Sequence, residues 1–307
     1  MSRRRVMMML QSAQDIVSRF IDRVALSGGI LDNQVGLSSV DESSALTMLP
    51  NAYKDGTLYS VLPEDASGDF DVVRGSGATR VNSLGQIELI TSTNTPRIDY
   101  TSGSPVLLVE PQTTQLLTYS EDFSQWVSGG STTIQSGYLA PDGTTTAYKV
   151  SGSGSALSLA AGLTATTTRS IYARTVSGTG QANLCSYNSN TNNLFTITEE
   201  WQRFDVNSAN ATGVTTFYAV DFRGGTTLSE IILWGANATN DQDYATSYIP
   251  TTGVIATRLE DVITVDLTSL SVSSITETID GVEQTPITSI PSTYTIPQGN
   301  INKIVMI

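Results

Sequence analysis

The side chains that carry most enzyme chemistry are scarce in this chain. Of 307 residues none is histidine and only Cys185 is cysteine. There is no imidazole to act as general base or metal ligand, no Ser-His-Asp or Cys-His arrangement, and no intrachain disulfide or thiolate metal centre. Cys185 is expected to be inert packing. Carboxylates remain, and Glu199-Glu200 and Glu121-Asp122 are adjacent pairs. Neighbours along a strand point to opposite faces, which is wrong for an acid and a nucleophile flanking one glycosidic bond. Asp241 and Asp243, beside Asn240, place oxygen donors two apart on one side of an extended loop and are the candidates for a structural calcium; no EF-hand glycine and distal glutamate complete the loop. Gly75, Gly77 and Gly85 lack the spacing of a phosphate loop. No catalytic residue is nominated and no cofactor beyond that calcium is expected. Carboxylates distant in sequence can still converge, so a polysaccharide depolymerase is the alternative to a non-enzymatic protein.

Recognition residues are easier to name. Trp126, Trp201 and Trp234 could offer flat faces for sugar rings, but tryptophan is a common sandwich core residue and core packing is their expected role. The ligand-binding candidates are Tyr187, Asn188 and Asn190, in a polar loop able to hydrogen-bond hydroxyls, and Tyr218. Sixteen basic against 29 acidic residues give a net charge of -13, which repels nucleic acid and anionic membrane surfaces. Neither nucleic acid nor membrane insertion is expected. Between Ser151 and Thr198 only Arg169 and Arg174 are charged, a composition that suits the hydroxyls of neutral glycans.

The elements that would position these residues are mainly β. Hydrophobic residues make up 39% and charged residues 15%, with Ser, Thr, Asn and Gly filling the gap, so short strands are favoured over long surface helices. The exception is the start of the chain, where Val6, Leu10, Val17, Phe20 and Val24 lie on one stripe that stops at Ser27-Gly28-Gly29. This reads as an N-terminal helical anchor over residues 1–30, suited to self-association. The apolar run Val6–Leu10 after Arg3-Arg4-Arg5 is too short for a secretory signal or a membrane span. Residues 31–112 read as an extended β segment punctuated by turns. From 113 to 258 alternation predicts an antiparallel sandwich, with Ile171, Ala173 and Thr175 on one face and Tyr172, Arg174 and Val176 on the other. In the same way Phe217, Ala219 and Asp221 alternate with Tyr218, Val220 and Phe222. Residues 259–307 read as a small C-terminal β unit with a hairpin at Asp280-Gly281 and an apolar last strand from Ile301 to Ile307, buried in its own sheet or against another subunit.

A succession of short motifs runs through the middle of the chain: Gly77-Ala78-Thr79-Arg80, Thr95-Pro96-Arg97-Ile98-Asp99-Tyr100, Leu107-Leu108-Val109-Glu110-Pro111, Leu117-Thr118-Tyr119-Ser120-Glu121-Asp122-Phe123, Glu200-Trp201-Gln202-Arg203, Ile232-Leu233-Trp234-Gly235 and Tyr244-Ala245-Thr246-Ser247-Tyr248-Ile249-Pro250. In that order the set resembles fibre and spike proteins of tailed bacteriophages that carry a jelly-roll domain similar to carbohydrate-binding modules. The resemblance covers about Ser44 to Arg258 and the C-terminal tail. It implies a virion structural protein, a head or tail fibre or a decoration subunit on the particle surface. It also implies a homotrimer joined to capsid or tail proteins, with a contribution to attachment on host surface glycan. The resemblance carries no set of binding residues onto this sequence.

Overall fold

The computed structural model describes residues 30–31, 40, 43–50, 52–54, 56–164, 166–186, 193–207, 216–240 and 242–307. The stripe of Val6, Leu10, Val17, Phe20 and Val24 lies outside them. Among the described residues the regular structure is antiparallel β, with one 3-10 turn at Phe123–Gln125. The chain divides into two units, Gln112–Arg258 and the pair of segments Met1–Pro111 and Leu259–Ile307.

In the unit Gln112–Arg258 the pairing defines the architecture. Ala147–Ser151 pairs with Glu230–Thr239, Ala156–Ala160 with Thr216–Asp221, Thr168–Arg174 with Gln202–Val206, and Gly180–Ser186 with Leu194–Ile197. First with last, second with second-last, and so inward is one long antiparallel hairpin. That hairpin is rolled so that Thr168–Arg174 also meets Glu230–Thr239, and Gly180–Ser186 also meets Thr216–Asp221. The result is two sheets in jelly-roll order, each extended to five strands by an edge strand, Thr133–Tyr138 on one and Val127–Ser128 on the other.

Between the sheets lies a core of Phe123, Trp126, Val150, Leu157, Ile171, Phe217 and Leu233 with their neighbours. Ile171, Ala173 and Thr175 are fully buried while Tyr172 and Arg174 are half-exposed, as period two requires. The alternation expected at Phe217–Phe222 breaks. Leu157 faces Val220 and Ser158 faces Tyr218, which leaves Ala219 as a bulge residue, and in the strand on its other side Cys185, with φ 54°, lies opposite it in register. The bulge and the left-handed Cys185 each turn two successive residues inward, Ala219 with Val220 and Leu184 with Cys185, and all four are 0% exposed. Cys185 touches the Phe204 carbonyl at 3.7 Å, and burial pushes its thiol well above the ordinary range.

The second unit also has its own core. One sheet runs in the order Ile30–Leu31, Ala52–Lys54, Thr57–Leu58, Phe70–Val73, Val262–Asp266, Thr293–Thr295. The other is centred on Gly299–Met306, flanked by Ile275–Ile279 and Val106–Val109, with Leu46–Met48 also pairing to it. Side chains of both sheets, among them Leu58, Phe70, Ile263, Leu107, Ile301 and Met306, form a single cluster. The segments read from sequence as an extended stretch over 31–112 and a separate unit over 259–307 therefore share sheets here. Neither can cover its own apolar face alone. Asp280 and Gly281 have φ of 51° and 77°, the double left-handed geometry of a type I′ turn, with Ile279 opposite Val282. Ile301, Ile304 and Met306 are buried in their own sheet rather than left for another subunit.

Candidate functional site

The described sequence candidates are scattered. Tyr187, Asn188, Asn190 and Asp241 lie outside the described residues, and Asp243 is exposed. Among the described residues no group of three His, Cys, Asp or Glu could hold a metal ion. Tyr218 stands on the outer face of its sheet, opposite Ser158 and Ser186, with the Arg223 guanidinium 5.6 Å above its ring. That cation is already neutralised, because Arg223 Nε and Nη2 donate to the two oxygens of buried Asp221 at 2.7 and 2.6 Å.

Converging carboxylates do occur, but in a closed setting. In the second unit Asp261 accepts from Arg74 Nη1 at 2.9 Å and from Arg97 Nη2, and Arg97 Nη1 donates to Glu110 at 2.7 Å. The backbone N–H of Glu110 donates to Asp261 at 2.9 Å, and Arg97 also reaches the Thr79 carbonyl at 3.1 Å. Side-chain exposure is 0% for both arginines, 2% for Asp261 and 6% for Glu110. Burial alone would lower the Arg97 pKa, but the attraction of Glu110 and Asp261 together raises it above its ordinary value. Two cations balance two anions away from water, which is a structural knot with no access for substrate.

At the edge of the jelly roll Tyr248 donates to Glu121 at 2.8 Å and shares a 2.6 Å hydrogen bond with Ser120. Burial raises the Glu121 pKa, the Tyr248 hydrogen bond opposes the shift, and Asp142 adds to it. A folded state that holds this proton more tightly than the unfolded chain loses stability as pH rises from the ordinary value of 4.5 through the raised one. Glu121→Gln keeps an acceptor for Tyr248 and removes the charge. We expect it to raise Tm at pH 7 by about 2 °C, with the gain vanishing near pH 4, in thermal melts across that range.

The open aromatic surface is on the other sheet. Alternation turns Tyr172 and Arg174 outward from Thr168–Arg174. Register then places Tyr172 between Trp234 and Arg203, and Ile232 between Lys149 and Arg174. Gly235, with φ 60°, makes the first row possible: a Cβ there would lie 3.2 Å from the Tyr172 ring and 3.4 Å from Tyr248. Trp234 is consequently sealed, 1% exposed, at 5.6 Å from Tyr172 and 4.7 Å from Tyr248, and its Nε1 donates to Thr146 Oγ1 at 3.0 Å. Arg203 lies 5.4 Å above the Tyr172 ring and donates to Ser170 Oγ at 2.9 and 3.2 Å. Arg174 lies 5.4 Å above Trp201. Tyr172, Arg174, Trp201 and Arg203 are all half-exposed. The buried role expected of the tryptophans thus fits Trp126 and Trp234, 5% and 1% exposed, and differs for Trp201, half-exposed just before the strand Gln202–Val206. Sequence reading missed this face because Tyr172 and Arg203 are 31 positions apart; the outward side of the predicted strand was the signal available.

Fold and site together describe a jelly-roll β-sandwich with a cation-aromatic sheet face. No family model matches the chain, and the comparison with curated proteins yields no match. Among solved structures, the N-terminal CBM22-1-CBM22-2 tandem domain of Paenibacillus barcinonensis Xyn10C is similar at 10% identity and TM-score 0.32, over 65% of this chain and 90% of that one. The glycoside hydrolase domain of Endo-D from Streptococcus pneumoniae is similar at 13% identity and TM-score 0.23, over 57% of this chain and 32% of that one. A structure of carbohydrate-binding modules from the beta-sandwich super family matches at 11% identity and TM-score 0.24, over 65% and 87%. Overlaps this loose decide nothing about the chain; the strand pairing defines the jelly roll without them.

Proposed function

We propose that this chain is a non-enzymatic structural subunit of a tailed-phage particle, a fibre or decoration protein of head or tail, whose jelly roll holds glycan on the face formed by Tyr172, Arg174, Trp201 and Arg203. The observation that carries the binding part is that face: aromatic rings and guanidinium groups fixed by strand register, half-exposed on an otherwise well-packed sandwich. The particle part rests on the ordered motifs shared with fibre and spike proteins, and the trimer on that resemblance together with the stripe from Val6 to Val24. Binding without chemistry is favoured because Glu110 and Asp261 are consumed by buried arginines, and Glu121, which feels Asp142, is held by Tyr248. Immuno-electron microscopy of purified particles should label their surface, and light scattering of the full chain should give a trimer mass. A glycan array should bind the full chain without release of reducing ends. Unlabelled particles would overturn the virion role, a monomer would overturn the trimer, and new reducing ends would make the protein a depolymerase.

A further inference from the structure

We infer that the glycan taken by this face is acidic, carrying carboxylate or another anionic group on its sugar rings; the inference rests on the binding role just proposed and departs from the neutral glycan that composition suggests. The jelly-roll unit has six basic residues: Lys149, Arg169, Arg174, Arg203, Arg223 and Arg258. Arg169 and Arg258 are 0% and 1% exposed. Arg223 is committed to Asp221 and Lys149 to Glu230, the latter at 3.5 Å. Arg174 and Arg203 form no ion pair among the described residues, although Asp205, Glu199 and Glu200 are exposed close by in sequence and Glu199 accepts from the Gly178 N–H. Both uncommitted guanidinium groups stand on the same face of neighbouring strands. With Tyr172 opposite Arg203, Arg174 is the diagonal neighbour of Arg203, about 8 Å away backbone to backbone. One short oligosaccharide can reach both.

Their chemistry favours anions over hydroxyls. A guanidinium drawn to an aromatic face is less hydrated than an ammonium, and its planar fork of N–H donors can take a carboxylate in two parallel hydrogen bonds. Arg174 spends one long bond of 3.3 Å on the Thr175 carbonyl, and Arg203 spends Nε and Nη2 on Ser170 Oγ. The remaining donors, Nε and Nη2 of Arg174 and Nη1 of Arg203, make no hydrogen bond among the described residues. Because the whole chain carries -13, diffuse attraction of polyanions is absent, and any preference for an acidic sugar must come from these local donors.

Titration calorimetry with the full chain, using an oligogalacturonate, its fully methyl-esterified form, a sulfated dextran and plain dextran, separates the possibilities. We expect the oligogalacturonate to bind at least about tenfold more tightly than its ester. Arg203→Ala and Arg174→Ala should each remove most of that difference, and Lys149→Ala should leave it. Arg203→Lys, which keeps charge but loses the planar fork, should recover only part of it, and melts of all variants confirm folding. A preference for sulfated dextran over the oligogalacturonate would assign the anion as sulfate and keep the inference. Equal binding of acid and ester, or binding of neutral dextran alone, would overturn it while leaving the glycan-binding role standing. Failure of all four probes to bind would count against both, and acid-selective binding unchanged in the two alanine variants would remove it from this face.

Discussion

Arg97→Ala is expected to destabilise the unit formed by residues 1–111 and 259–307 by about 3–5 kcal/mol, because it leaves an uncompensated buried charge. Arg97 contacts Glu110 and Asp261, and Asp261 in turn holds Arg74, with no more than 6% of any of these side chains exposed. Removing one guanidinium leaves two carboxylates with one cation and frees the Thr79 carbonyl that Arg97 now satisfies. Arg97→Lys should recover little, since an ammonium cannot reach both carboxylates with the planar fork that spans them here. For a unit of this size the loss corresponds to a fall in Tm on the order of 10 °C. Trp126, Trp201 and Trp234 all belong to the other unit, and each unit has its own core. Far-ultraviolet circular dichroism should therefore show the shifted transition while tryptophan fluorescence holds its midpoint. A loss below about 1 kcal/mol would mean that water reaches the network in solution.

Trp126→Ala should have a comparable effect on the jelly roll, about 3–5 kcal/mol. Its ring lies 5.0 Å from Phe123 and 5.7 Å, edge to face, from Phe217, and its Nε1 donates to the Tyr119 carbonyl at 2.9 Å. Truncation removes the aromatic contacts, opens a cavity between the two sheets and leaves that carbonyl without its donor. Trp126→Phe refills most of the volume without the N–H and should cost less than half as much. Trp201→Ala gives the contrasting result. Half-exposed beneath Arg174, it should lower denaturation midpoints only slightly while weakening glycan binding severalfold, since the guanidinium loses its platform. Chemical denaturation of the three variants, paired with calorimetry on the folded proteins, ranks core against surface. A Trp201→Ala loss as large as that of Trp126→Ala would place Trp201 in the core.

Local rules reached a long way into this protein. Period-two burial at Ile171 and Ala173, the Asp280-Gly281 turn and the absence of histidine chemistry are properties of neighbouring residues or of counts, so they are written in the chain itself. Tertiary structure decided what depends on pairing between distant segments. A bulge at Ala219 reversed the expected face of Val220, because an inserted residue shifts every side chain beyond it to the other side of the sheet. The union of the segments around Glu110 and Asp261, 151 positions apart, came from apolar faces that neither segment covers alone, and the charges buried with them had to pair. Arg203 over Tyr172, and Arg174 over Trp201, came from strand register. A single strand specifies which of its side chains point outward, but only its partners determine which cation meets which ring.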